Sequence, residues 1–363
     1  MINIPKPPYK QIKEYLLNNI KSGKYNPGDK IESENRLAEM FGVSRLTARK
    51  AVGELVQEGY FVRVQGMGTF VSHLPVGIGK RPIYIGVVVK GTDGARGQAI
   101  LSGIFKGLYR EFIYPITGPL GDDNLEAEKE VLGNLLKHDI QGLIFDPFEK
   151  SIENEKLLSL IDMDFPIVFV DREIEKLEVP AVSSNNYSGG KKLGKHLKEH
   201  SIKKVAFVTH EPLEVKKIKD RFEGFTKGFG ASPEVFYIEE DPNIYHPENR
   251  KLFVEVMKKI AKNKFDGIFF SHDLIAIAGM SLLFKLGKKV PDDIKVVGFD
   301  NKKIGAFTFP TLTTIKQDFM KMGEIAAFYI AKIVQKKMPL KLDHIPVELI
   351  VRESCGCKGK PPK

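Results

Sequence analysis

From residue 83 onward the chain alternates short apolar runs with amphipathic stretches, and this rhythm leaves few folds open. The runs are IYIGVVV at 83–89, GLIFD at 142–146, PIVFVD at 166–171, KVAFVT at 204–209, FDGIFF at 265–270 and IKVVGFD at 294–300. Each is strand-length and apolar on successive residues, so both faces of the strand must be buried, as in a parallel sheet covered by helices. Helical periodicity fills the intervals at 98–112, 124–138, 187–200, 214–228, 247–263, 273–287 and 318–336. Strand, helix and strand in alternation make right-handed crossover units. There are too many for one ordinary sheet, so the expectation is an α/β body of two doubly wound parallel sheets with a cleft between them. Ligands of such sheets bind at the carboxyl ends of the strands.

Several strands end on polar residues: Asp146, Asp171-Arg172, His272-Asp273 and Asp300-Asn301. Each taken alone reads more readily as a helix cap or a turn residue than as a ligand contact. Together they describe a polar cleft suited to a sugar, whose hydroxyls both donate and accept hydrogen bonds. Lys90 and Asp93, after the first body strand, are further candidates. The chain has no Trp, so a platform under a sugar ring has to be Phe or Tyr, and Phe148 is one candidate.

The first 72 residues have a different pattern. Ile12, Tyr15, Leu16 and Ile20 share a helical face, which Gly23, Pro27 and Gly28 bring to an end. Ser33 is placed to cap a second helix carrying Leu37, Ala38 and Phe41. After Gly42, Ser44 caps a third, whose apolar face is Ala48, Ala51, Val52 and Leu55. Two short helices around a glycine turn predict a helix-turn-helix in an α+β winged head. Arg45, Thr47 and Arg49 then sit at the start of the recognition helix, off the apolar face, where base edges and phosphates are contacted. The stretch GYFVRVQGMGTFV predicts a hairpin whose tip, Gln65 and Gly66, reaches a groove. Charge agrees: Lys and Arg outnumber Asp and Glu by 13 to 7 in residues 1–82, against 43 to 39 in the rest.

These residues carry two resemblances. Residues 8–71 resemble the GntR-type winged-helix domain through Pro27-Gly28, Ser33-Glu34, Leu37-Ala38, VSR-x-T-x-R at 43–49, L-x-x-x-G at 55–59 and QG-x-GT at 65–69. Glu32 stands where members usually carry proline, and Asn35 where some carry a DNA-contacting arginine. Residues 83–356 resemble the LacI-type effector domain, itself similar to periplasmic sugar-binding proteins, through VDR at 170–172, SSNNYSGG at 183–190 and RFEGF at 221–225. SHDLIAIAG at 271–279, VVGFDN at 296–301, the LTTI-x-QD segment at 312–318 and VRESCG at 351–356 continue the match. The second resemblance implies effector contacts at Asp171, Arg172, Arg221, His272, Asp300 and Gln317, with histidine at 272 in place of the commoner asparagine. His272 also reads as a core histidine, and Arg221 as a solvated helix-start residue.

The pairing of head and body resembles a group of bacterial arabinose-responsive repressors, aided by GLIFDPFEKSIEN at 142–154. It implies L-arabinose or a related pentose as effector, double-stranded operator DNA as partner, and a homodimer. A phosphosugar or a purine remains a rival effector, since SGG at 188–190 could seat a phosphate. The expected division is a DNA-binding domain at 1–72, a linker at 73–82, an effector and dimerisation domain at 83–357 and a basic tail at 358–363. No apolar run is long enough to span a membrane, and no secretion signal is legible. No P-loop, HExxH, GxSxG or zinc-spaced Cys/His motif points to an enzyme. Cofactors, catalytic residues and metal ligands are therefore not expected, and the two cysteines, Cys355 and Cys357, read as inert thiols in a reducing cytoplasm.

Overall fold

The computed structural model describes residues 7–64, 66–72, 82–92, 94–111, 113–120, 124–238, 250–335 and 343–357. Gln65, Asp93, the linker up to residue 81 and the 358–363 tail lie outside the described residues. The chain divides into two compact units, Met1–Pro82 and Ile83–Lys363.

The head contains α1 (Pro8–Lys21), α2 (Glu34–Phe41), α3 (Arg45–Gln57), β1 (Phe61–Val64) and β2 (Gly68–Val71). The expected caps set the helix starts. Ser33 Oγ accepts from the Arg36 N–H and Ser44 Oγ from the Thr47 N–H, each at 3.2 Å. Gly42 closes α2 in the left-handed region at φ 62°, which permits the tight turn into α3. The predicted apolar face of α3 packs with Ile12, Leu16, Leu37, Phe61 and Val71 in a single core. The antiparallel wing pairs Phe61 with Val71 and Val64 with Gly68, and the chain at Lys30 bridges to Phe70 along its other edge.

The first lobe of the body runs through β3 (Ile83–Lys90), α4 (Ala95–Arg110), β4 (Ile113–Leu120), α5 (Leu125–Leu135), β5 (Gly142–Phe145), α6 (Glu155–Asp162), β6 (Ile167–Val170) and β7 (Ala181–Ser184). The second runs through α7 (Asn186–Lys198), β8 (Val205–Thr209), α8 (Lys216–Phe229), β9 (Glu234–Tyr237), α9 (Lys251–Lys262), β10 (Gly267–Phe270), α10 (Asp273–Lys285), β11 (Lys295–Val297) and β12 (Thr314–Lys316). The chain then returns to the first lobe with α11 (Phe319–Val334) and β13 (Asp343–Ile345), and ends in the second with β14 (Glu348–Ile350).

The first sheet is parallel in the order β13-β7-β6-β5-β3-β4, and the second in the order β11-β10-β8-β9. β12 and β14 form an antiparallel pair beside β11. As the apolar runs require, β5, β6, β8 and β10 are buried throughout. Helices α4 and α11 cover one face of the first sheet, and α5 and α6 the other. In the second lobe α9 and α10 cover one face, and α7 and α8 the other. Helices α7 and α8 meet backbone to backbone: a Cβ on Gly190 or Gly224 would lie 2.1 Å from a carbonyl oxygen of the other helix. The two lobes are thus joined by three chain crossings, after β7, after β12 and after β13.

Candidate functional site

The carboxyl ends of β3, β6, β8, β10 and β11 converge on a cleft of about 140 Å³ between the lobes. Its lining is Arg96, Asp171, Arg172, His210, Glu211, Lys217, Arg221, His272, Asp300, Gln317 and Phe319. Six of these, Asp171, Arg172, Arg221, His272, Asp300 and Gln317, were expected from the sequence. A larger groove of about 370 Å³ between β4 and α5 is mostly apolar and lacks converging charged pairs, so it is not the better candidate.

On the first lobe, Arg96 in the opening turn of α4 organises the floor. Its Nη2 donates to Asp146 Oδ2 at 2.7 Å and to Asp171 Oδ2 at 2.8 Å, while Nε donates to Asp171 at 3.0 Å. Burial would raise the Asp171 carboxyl, but Arg96 and then Lys217 outweigh it and hold Asp171 below the ordinary carboxylate range. Asp171 also sits at φ 69°, a left-handed conformation that aims its side chain off the end of β6. Arg172 donates to Glu149 in the first lobe at 2.9 Å and pairs with Glu211 of the second at 2.9 Å, bridging the cleft.

On the second lobe, the close packing of α7 and α8 brings Arg221 Nε within 2.9 Å of Asn186 Oδ1, and Arg221 Nη1 donates to the Ser271 carbonyl at 2.6 Å. The guanidinium lies 3.9 Å above the Phe299 ring and 3.7 Å from Asp300 Oδ1. Gln317 Nε2 donates to Asp300 Oδ1 at 2.6 Å, while Gln317 Oε1 is buried with no hydrogen-bond partner among the described residues. Asp300 stands at φ 113°, a second strained carboxylate at a strand end. Next to it, Asp273 is pushed up to about 8 by burial and by the Asp300 charge.

His272 Nε2 and His210 Nδ1 lie 3.3 Å apart, so one nitrogen must donate and the other accept. Burial lowers both histidines; a charge on His210 further disfavours a proton on His272, and Lys217 and Arg172 disfavour one on His210. Glu211 is held low because Lys217 and Arg172 together overcome the effect of its burial.

Other expected residues lie elsewhere. Asp146 is fully buried beneath Arg96 and positions it without lining the cleft. Lys90 is buried with Nζ donating to the Pro147 carbonyl at 3.0 Å, over the Phe148 ring. Phe148 is likewise buried and does not line the cleft; the lining aromatic is Phe319. Sequence reasoning missed Arg96, His210, Glu211, Lys217 and Phe319. The strand-end rule, applied to KVAFVT, leads directly to His210 and Glu211.

On the head, Asn35, Arg45 and Arg49 are exposed, and Thr47 Oγ1 lies 2.9 Å from Ser44 Oγ. Glu34 pairs with Arg63 at 2.6 Å and lies 3.7 Å from Arg45, so Arg63 on β1 joins this basic face, although the sequence reading passed over it. Leu46 is 74% exposed at the start of α3, an apolar group with no core to fill. Gly66, at φ 77°, forms the wing tip beside exposed Met67.

Comparison with known proteins agrees with both units. Residues 8–71 match the family model described as bacterial regulatory proteins, gntR family, and residues 195–355 that of a periplasmic binding protein-like domain. An arabinose metabolism transcriptional repressor of Geobacillus stearothermophilus is 29% identical over 96% of this chain and 97% of its own length. A ribose operon repressor of Halalkalibacterium halodurans is 30% identical over 64% of this chain and 68% of its own. A crystal structure of the lac repressor dimer bound to operator and an anti-inducer superposes with a TM-score of 0.65 at 20% identity, covering 76% of this chain and 95% of that one. These relatives are regulators, and this chain is a regulator rather than an enzyme. It belongs to the sugar-responsive bacterial transcriptional repressors that join a GntR-type winged-helix head to a LacI-like, periplasmic-binding-protein-like body.

Proposed function

We propose that this repressor acts in the cytoplasm as a homodimer on a near-palindromic operator, and that L-arabinose bound in the interlobe cleft releases it. The observation that carries the sugar assignment is the charge balance of the cleft. Arg96, Arg172, Lys217 and Arg221 are each matched by a carboxylate: Asp146 and Asp171, Glu149 and Glu211, Glu211 again, and Asp300. Among the described lining residues no cation is left unmatched for a phosphate. A neutral polyol fits, because its hydroxyls can donate to the fixed carboxylates and accept from the guanidiniums without adding charge. Among neutral sugars, the match to the Geobacillus arabinose repressor over nearly the whole of both chains favours L-arabinose.

In this reading Asp171, Arg172, Arg221, His272, Asp300 and Gln317 contact the sugar, Arg96 holds Asp171 in place, and Phe319 covers the apolar face of the ring. Contacts from both lobes favour the closed body, and operator affinity falls by the ratio of sugar affinities in the two states. On the head, Arg45, Thr47 and Arg49 read the major groove, Asn35 and the capped starts at Ser33 and Ser44 meet phosphates, and Gln65 with Gly66 meets the minor groove. Dimerisation is supported by Tyr109, Phe284, Phe307 and Phe309, all body residues more than 80% exposed.

Calorimetric titration with L-arabinose, D-xylose, D-ribose, D-galactose and a phosphorylated pentose tests the effector. Binding of L-arabinose at about micromolar Kd, near −8 kcal/mol, supports it. Heat from the phosphosugar alone contradicts it.

A further inference from the structure

The cysteines at the end of the body are not solitary. Cys355 and Cys357 follow β14, and His196 and His200 stand one turn apart at the end of α7 and just beyond it. One ligand atom from each of the four lies within 4.8 Å of all the others. Cys357 Sγ is 3.2 Å from His200 Nε2 and 3.9 Å from His196 Nε2, and the two imidazoles meet edge to face at 4.8 Å. Gly356 between the cysteines adopts φ 89°, which turns both thiols toward the same point. Cys355 is fully buried, and Thr313 Oγ1 holds its sulfur at 3.1 Å.

We propose that His196, His200, Cys355 and Cys357 form a structural zinc site that pins the C-terminal end of the body to α7. Tetrahedral zinc with Zn–S of about 2.3 Å and Zn–N of about 2.0 Å places neighbouring donors roughly 3.3–3.8 Å apart. Here Cys357 and His200 are at 3.2 Å and no pair of the four donors is beyond 4.8 Å, so rotamer adjustments of about an ångström would form the site. Two thiolates neutralise the dication, and two imidazoles complete a borderline-soft donor set that selects zinc over calcium or magnesium. Four protein donors leave no open position, so the site is structural. It also stands apart from the cleft. The first residue of α7, Asn186, accepts from Arg221, whereas His196 is ten residues further on, about 15 Å along the helix axis. What zinc secures is the terminal segment, whose Ser354 already exchanges hydrogen bonds with Val296 at the edge of the second sheet.

The test is metal analysis of the full-length protein purified and reconstituted with zinc under reducing conditions, alongside Cys357→Ser and His200→Gln. Both change half-buried residues, and circular dichroism establishes which of them fold. The expected result is about one zinc per wild-type chain and less than about a tenth of that in a folded variant. Cobalt in place of zinc should give intense tetrahedral visible bands with a thiolate charge-transfer band, and a chelator should lower the wild-type melting temperature. Equal zinc in wild type and folded variants, an octahedral cobalt spectrum, or a Cys355–Cys357 disulfide under anaerobic purification would each overturn the proposal.

Discussion

Arg96 is the residue on which the first-lobe half of the cleft depends. Replacing it with alanine leaves two carboxylates facing each other, Asp146 fully buried and Asp171 nearly so. We expect a loss of about 3 kcal/mol in urea denaturation, because removing one partner strands the buried charge of the other. Sugar affinity should fall with it. Gln317→Ala makes a cleaner separation. It frees Asp300 without stranding a charge, so sugar binding should weaken at least tenfold, about 1.4 kcal/mol, with operator affinity unchanged.

The histidine pair adds a pH signature. Burial holds His210 and His272 below the ordinary value of 6.5, so the unfolded chain binds protons that the native body refuses. Their contribution to stability is therefore complete above about pH 6.5 and is lost as pH falls through and below it. The difference in stability between wild type and His272→Asn, measured by denaturation from pH 7.5 to 5.5, should shrink as pH falls. A constant difference would mean that His272 is not buried in its neutral form.

At the scale of elements, helix α3 carries the side chains proposed to read DNA and follows Ser44, whose Oγ caps the Thr47 N–H. Ser44→Ala should cost about 1 kcal/mol of head stability and reduce operator affinity, read by thermal unfolding and fluorescence anisotropy. Arg45→Ala should leave stability unchanged but cost about 1–3 kcal/mol of discrimination between operator and random DNA. The elements themselves were largely legible. Parallel strands buried on both faces must be apolar throughout, so β3, β5, β6, β8 and β10 announce themselves. The three-residue strands do not: β13 and β14 pair with β7 and β12 only after the chain has returned between lobes. β4 carries two prolines, Pro115 and Pro119, and is an edge strand, where proline is tolerated and apolar patterning weakens. Arg96 was illegible for a related reason. In sequence it is a polar residue in a helical first turn, and only the placement of α4 over the ends of β3, β5 and β6 gives it Asp146 and Asp171. The His196, His200 and cysteine cluster joins residues more than 150 positions apart, a spacing that no local motif records.

At the scale of the whole molecule, the proposed switch acts through the body. Three crossings tie the lobes, and two of them adjoin the site: Asn186, which holds the cleft residue Arg221, follows the first, and Gln317 opens the second. A ligand held by Asp171 on one lobe and Asp300 on the other, as proposed, would act directly on these crossings. The Arg172–Glu211 pair already spans the cleft at 2.9 Å, both side chains 12% exposed, so Glu211→Gln should lower sugar affinity by loosening the closed form as well as by changing a contact. The central claim is that occupancy of this cleft by a neutral pentose switches DNA binding. The most direct test is fluorescence anisotropy of the full-length protein on its operator across a titration of L-arabinose. Saturating L-arabinose should raise the operator Kd at least tenfold in the wild type, and Gln317→Ala should need at least tenfold more sugar for the same half-response. An operator Kd indifferent to L-arabinose, or one that responds only to a phosphorylated sugar, would contradict it.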